Sequence, residues 1–290
     1  MPYGRYRDNA HNPPRMKRSL KILLSATVWV AIAAYLVWAD TLGKRQHAYT
    51  FVKELRITVR DSMEIGIVHA SDVRRWIDGA GLAPEGLHLD SVHLADISAT
   101  VASHDFVRHV RTYAGLDGIA HVEVVQRRPL LRIITDNGYN FYYTADNHIV
   151  PAGNHSAHYV PVITGRFSLP FTTSFNGPLT NDHTEKKSQE SYAFLYKLIN
   201  FVKYIEAHDF WNAQIVQINV LPGREAGMEP DVEIIPRVGD HVVMLGQLDG
   251  YEDKLDKLLA FYRKAMPAEG WDRWDYIDLK FDGQVVCGKR

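Results

Sequence analysis

Cysteine is nearly absent: Cys287 is the sole thiol in 290 residues. That excludes an internal disulfide and any zinc site built on cysteine ligands. A strong net charge is missing too. The chain carries −1 overall, but Arg5, Arg7, Arg15, Lys17, Arg18 and Lys21 crowd into residues 1–21 against Asp8 alone, a net of +5 that leaves the remainder at −6. A mildly acidic body does not offer the basic face that phosphate recognition needs, so nucleic acid is not the principal partner. Low-complexity runs and internal repeats are also missing. With 46% hydrophobic and 23% charged residues, the composition excludes wholesale disorder.

Signatures of chemistry are equally scarce. There is no nucleophile elbow, no glycine loop of the phosphate-cradling kind and no zinc-protease pattern. Fourteen histidines invite a metal reading, and His148, His155 and His158 form the densest group. No carboxylate accompanies them at a ligand spacing, so they read as solvated loop histidines. His104 and His109 flank a helix-to-strand junction that does not hold them on one face. Asp275 with Asp278, and Asp249 with Asp253, read as surface carboxylates, and Arg127–Arg128 as a solvated strand end. Neither a cofactor nor a metal nor an enzyme is expected.

What is present begins with an apolar run. Residues 22–39, ILLSATVWVAIAAYLVWA, contain no charge. As a helix they span about 27 Å, close to the hydrocarbon core of a bilayer. Tyr35 and Trp38 lie near the far end, where aromatic rings favour the interface. The basic tail, 1–21, is expected to stay in the cytoplasm and residues 40–290 outside it. A cleaved signal peptide is the rival reading, because Val37-Trp38-Ala39 loosely fits a cleavage site; the long apolar run and bulky Trp38 oppose it. A buried core helix is the third, opposed by the lack of any polar face.

Beyond a short linker, two units follow. In the first, residues 55–60 alternate as a strand. A short helix covers ASDVRRWIDGAG, capped by Ser71 or Asp72, and a second runs over 90–103, capped by Asp90 or Ser91. FVRHVRTY and IAHVEVVQ then form a hairpin around Asp117-Gly118. The order strand-helix-helix-strand-strand buries one sheet face under two helices and leaves an edge open. From Pro129 the texture changes to short strands, with turns at Asn137-Gly138 and Asp146-Asn147. A polar stretch over 176–187 leads into a helix over 187–207. Strands AQIVQINVL, DVEIIPRV and HVVMLG follow, then an amphipathic helix over 251–266. The final alternating run, 276–281, reads as a strand that sets Ile277, Leu279 and Phe281 toward the core and Tyr276 and Lys280 outward. Gly283 permits a turn or bulge, so that 284–287 either folds back or extends the ladder.

Several short patterns come in a recognisable order. HDFV (104–107) is similar to a His-Pro-aromatic-Val step, with Asp105 in place of proline. HVEVVQRRPLLRI, YYTADNHIVP, VPVITG (160–165), VVMLG and YIDLKFDGQVV follow at matching spacing over some 240 residues. In this succession the chain resembles the FtsQ/DivIB family of bacterial cell-division proteins. The polar insertion near 176–187 and a longer hairpin turn depart from the pattern.

The resemblance implies an α+β protein: cytoplasmic tail 1–21, transmembrane helix 22–39, POTRA domain 49–126 and a β domain 127–290 with an antiparallel sheet and flanking helices. It implies a non-enzymatic scaffold in the inner membrane at the septum. Such a scaffold binds FtsB- and FtsL-like partners, meets other division proteins through the POTRA domain and helps control septal peptidoglycan synthesis. The family's β domain captures its partner by strand addition at the C-terminal edge. Here that places the partner-binding residues at Tyr276, Ile277, Asp278, Leu279, Lys280, Phe281, Asp282, Gly283, Gln284 and Val285. Two other classes compete. One is a POTRA-bearing translocation or assembly component, which the chain is too short to equip with a large barrel. The other is an exported enzyme.

Overall fold

The computed structural model describes residues 18–48, 51–60, 66–153, 158–181, 185–223 and 228–289. Helix α1 (Arg18–Ala48) runs for 31 residues, about 47 Å at the helical rise. Its segment Leu23–Thr41 is long and apolar enough to cross a membrane, and none of it is buried. Trp29 and Trp38 lie open. That exposure removes the core-helix alternative, and it is what a lipid-facing helix requires, since all backbone polar groups are satisfied within the helix itself. Of the tail expected over 1–21, residues 1–17 lie outside the described residues, and the last four belong to α1.

The next elements are β1 (Glu54–Arg60), α2 (Ala70–Gly79), α3 (Leu94–Ala102), β2 (Val107–Ala114) and β3 (Ile119–Gln126). Their strands form a three-stranded sheet of order β1-β3-β2, the strand-helix-helix-strand-strand arrangement expected. Both helix starts differ from expectation. The residue before α2 is His69, whose backbone N–H donates to Asp72 Oδ2 at 3.0 Å, so Asp72 reaches back as the second half of a capping box rather than acting as the cap itself. The second helix begins only at Leu94, because Val92 takes extended backbone after a single 3-10 turn at Leu89–Ser91.

Two compact units divide the chain. One takes in Ala83–Leu94 and Tyr113–His121 with the chain up to Arg56; the other takes in Ile57–Leu82, Ala95–Thr112 and the chain from Val122 onward. The first has a small core of Val52, Leu89 and Ala120.

The second unit contains the large sheet. Its elements are β4 (Pro129–Thr135), β5 (Asn140–Thr144), β6 (His148–Pro151), β7 (Val162–Gly165), β8 (Gly177–Pro178), α4 (Lys186–Glu206), α5 (Asp209–Gln214), β9 (Ile215–Leu221), β10 (Asp231–Pro236), β11 (Val242–Gly246), α6 (Tyr251–Lys264), α7 (Met266–Glu269), β12 (Tyr276–Asp278) and β13 (Val286–Gly288). The ten strands run β13-β12-β11-β10-β9-β7-β4-β5-β6-β8. The α+β class holds, but the sheet, expected to be antiparallel, is mixed. β4 pairs parallel with β7, β7 with β9, and β11 with β12. For the last two pairs the reason is topological: α4 and α6 sit in the connections β7-to-β9 and β11-to-β12, and a helical crossover returns the chain in the same direction.

One face of this sheet supplies Ile133, Ile163, Ile218, Ile234, Val243 and Ile277, which pack against Leu195, Leu198 and Val202 of α4 and Leu255, Leu258 and Tyr262 of α6. Alternation puts polar side chains on the opposite face. There Thr164 Oγ1 donates to Asn219 Oδ1 at 3.3 Å, and Asn219 Nδ2 donates to Glu233 Oε2 at 3.3 Å.

Arg127 and Arg128, expected as a solvated strand end, are both ion-paired, Arg127 with Asp146 and Arg128 with Glu206. The Arg127 side chain is only 16% exposed. The correction follows from the fold, which brings the β5–β6 turn and the end of α4 to the start of β4.

Candidate partner-binding edge

Edges decide what a sheet can add, and the end formed by β11, β12 and β13 differs from the one expected. The strand expected over 276–281 stops after Asp278. It is not an edge: β12 pairs parallel with β11 (Val242↔Tyr276, Val243↔Ile277, Met244↔Asp278) and antiparallel with β13 (Tyr276↔Gly288, Ile277↔Cys287, Asp278↔Val286). The chain folds back through Gly283, whose φ of 67° is a left-handed conformation suited to glycine. The outermost strand is therefore β13.

Local chemistry explains the early stop. Asp278, 8% exposed, accepts the backbone N–H of Lys280 at 2.9 Å through Oδ1, while Lys280 Nζ lies 3.3 Å from Oδ2. That local bond competes with a ladder. Lys257 of α6 donates from Nζ to the carbonyls of Leu279 at 3.0 Å and Phe281 at 2.6 Å, drawing both away from strand pairing. Ile277 and Leu279 are buried as expected, but Phe281 is 52% exposed. The turn carries it off the core face. Asp282, Gly283 and Gln284 are exposed turn residues, and Val285 packs against the core just before β13.

Which backbone groups point outward can be deduced from the ladder. The N–H of Val242 donates to the carbonyl of Asp275 at 3.0 Å, and the N–H of Leu279 donates to the carbonyl of Met244 at 2.9 Å. In a parallel pair these two bonds flank a residue, Ile277, whose own amide groups also face β11. Tyr276 and Asp278 consequently face β13, where they meet Gly288 and Val286. The remaining residue of β13, Cys287, has its N–H and C=O directed away from the sheet. Cys287 Sγ itself leans on the core, and burial raises its pKa. Gly288 lies beneath Tyr276: a Cβ there would stand 2.4 Å from the tyrosine hydroxyl oxygen, so the ring would have to shift.

Behind this edge, His241 precedes β11 and is 1% exposed. Its Nε2 and the Tyr262 hydroxyl share a hydrogen bond of 2.7 Å. Burial pulls the imidazole pKa below its ordinary value, opposed by the Trp271 backbone and the carboxylates of Asp240 and Asp272. The Tyr262 phenol is pushed up by the same burial.

The remaining sequence candidates lie elsewhere. His104 stacks on Trp76 with ring centroids 3.6 Å apart. His158 packs edge-on against the buried Phe106, and His155 lies outside the described residues. Burial, then Arg127, lowers the pKa of His148. Among the described residues no group of three or more histidine, cysteine or carboxylate side chains could hold a metal ion. Sequence reading missed Val286, Cys287 and Gly288 as the edge itself. The signal for it was the pair Gly283 and the second short run QVVCG, which together spell a turn and a return strand.

Two families match the chain in succession. Residues 50–125 match the family described as POTRA-like domain, and residues 128–288 match the family described as FtsQ/DivIB, C-terminal related. No curated protein matches. With the second match spanning more than half of its 290 residues, and the whole sheet that carries the β13 edge, the chain belongs to the FtsQ/DivIB family.

Proposed function

We propose that the chain is a non-catalytic scaffold of the division machinery that captures a partner by strand addition at β13. The observation that carries this reading is the outward-facing N–H and C=O of Cys287 at the end of a ten-stranded sheet. A main-chain edge with a donor and an acceptor on its open side is what an extended peptide needs in order to join a sheet. The expected occupants are FtsB- and FtsL-like division proteins, with further division proteins meeting the POTRA-like region. In this reading α1 anchors the chain in the inner membrane at the septum, with the tail cytoplasmic and the bulk periplasmic, and partner capture helps control septal peptidoglycan synthesis.

A proline scan tests it, because proline deletes a backbone donor without changing charge. Cys287→Pro removes the outward N–H and is expected to abolish co-purification of an FtsB-like partner while leaving the thermal midpoint nearly unchanged. Val286→Pro removes an inward N–H and is expected to lower the midpoint as well, because it breaks the ladder to β12. Undiminished binding by folded Cys287→Pro would move the interface elsewhere.

A further inference from the structure

The opposite end of the sheet raises a problem that strand addition creates. A ten-stranded sheet has two ends, and an unpaired second edge would recruit strands of its own. There the outermost element is β8, which pairs antiparallel with β6 (His148↔Pro178, Ile149↔Gly177). The N–H of Leu179 donates to the carbonyl of Asn147 at 2.9 Å. That bond makes Asn147 and Leu179 a bonded pair, so the next pair, His148 and Pro178, is the non-bonded one. Pro178 therefore occupies the outward-bonding position of β8, the counterpart of Cys287 on β13, and it has no N–H to offer.

The segment is held in place by side chains. Asn147, at a left-handed φ of 60°, donates from Nδ2 to the carbonyl of Leu179 at 2.9 Å. Asn176 Nδ2 donates to Asp105 Oδ1 at 2.7 Å. Asp105 stands where the family pattern has proline, and Asn176 opens the polar insertion, so two of the departures noted in the sequence meet in space.

We propose that the start of the insertion, Asn176 to Leu179, is a built-in edge guard: it covers β6 and presents Pro178 outward, so that strand pairing is confined to β13. The strand it excludes is the β13 of a second copy of this chain, which carries the complementary outward donor and acceptor. A β13-to-β8 contact joins two different surfaces, and such head-to-tail contacts propagate into open assemblies rather than closing. Only the identity of the excluded strand rests on the strand-addition reading above.

The test uses the full-length chain in detergent, with sedimentation velocity over a concentration series. Pro178→Val restores the outward N–H in a residue suited to strands. It is expected to raise the weight-average mass about twofold or more above wild type at the highest concentration, as head-to-tail contacts accumulate. The double variant Pro178→Val, Cys287→Pro is expected to return to the wild-type curve. If the valine variant lowers the thermal midpoint, Pro178→Ala takes its place with the same expectation. A variant with an unchanged midpoint that overlays wild type at every concentration overturns the guard, and assembly that persists in the double variant overturns β13 of a second copy as the strand it excludes. Partner capture is not read in this experiment, so failure of the β13 reading, seen as undiminished partner binding by Cys287→Pro, is separate from failure of the guard.

Discussion

His241 shows how one side chain can tie stability to pH. Its pKa is lowered in the folded protein because a buried imidazolium loses its hydration. The unfolded chain, with an imidazole pKa of about 6.5, therefore binds the proton more readily. Stability from this group is complete above pH 6.5 and declines as pH falls below it, levelling off once the folded-state pKa is passed. The slope for one such group is at most about 1.4 kcal/mol per pH unit. His148 shifts in the same direction and adds to the trend. Thermal midpoints between pH 7.5 and 5.5 are expected to fall for wild type and to fall less for His241→Phe, which keeps a ring against Tyr262 but cannot take a proton. Parallel curves for the two proteins would remove His241 from the account.

At the scale of elements, α6 does two jobs. It carries the chain across from β11 to β12, and its Lys257 holds the turn that sends the chain back into β13. Two charge-assisted bonds to carbonyls stabilise by about 1.5–3 kcal/mol each where both partners are shielded, and by less here because the bond to Phe281 is exposed. Lys257→Met keeps the aliphatic stem and deletes both donors. Amide exchange at Val286, Cys287 and Gly288 is expected to accelerate about tenfold or more, while core strands such as β9 change little, because turn opening is a local event. Uniform acceleration across the sheet would mean that Lys257 supports the whole fold rather than the edge. Partner capture should weaken in step with the loss of edge order, since an added strand needs a preformed one beside it.

For the whole molecule, the decisive feature is that an unburied apolar helix and a ten-stranded sheet share one chain. Val30 is 68% exposed on α1, inside the span. Placing a charge there, Val30→Asp, should cost about 2.5–3.5 kcal/mol of insertion free energy. The variant is expected to shift from the membrane fraction toward the soluble fraction, with the circular dichroism of the sheet domain unchanged. Retention equal to wild type would deny α1 its role as the anchor.

How much of this was legible in residue order follows from the range over which each force acts. Charge-free length marked α1, alternation marked β9, β10 and β11, and the 3.6-residue recurrence of Leu255, Leu258 and Tyr262 marked α6, because each is a local pattern imposed by backbone geometry. The succession of short motifs was enough to identify the family. Local reading failed where the outcome depends on residues far apart in the chain. It could not say that Asp278 and Lys257 together would end a strand that alternation alone continues to Phe281. Nor could it say that Arg127 and Arg128 would find Asp146 and Glu206. Whether a strand is an edge is a property of its neighbours, not of its sequence. That Cys287 offers a donor outward while Pro178 offers none was therefore decided only when the tertiary structure set the order and register of ten strands.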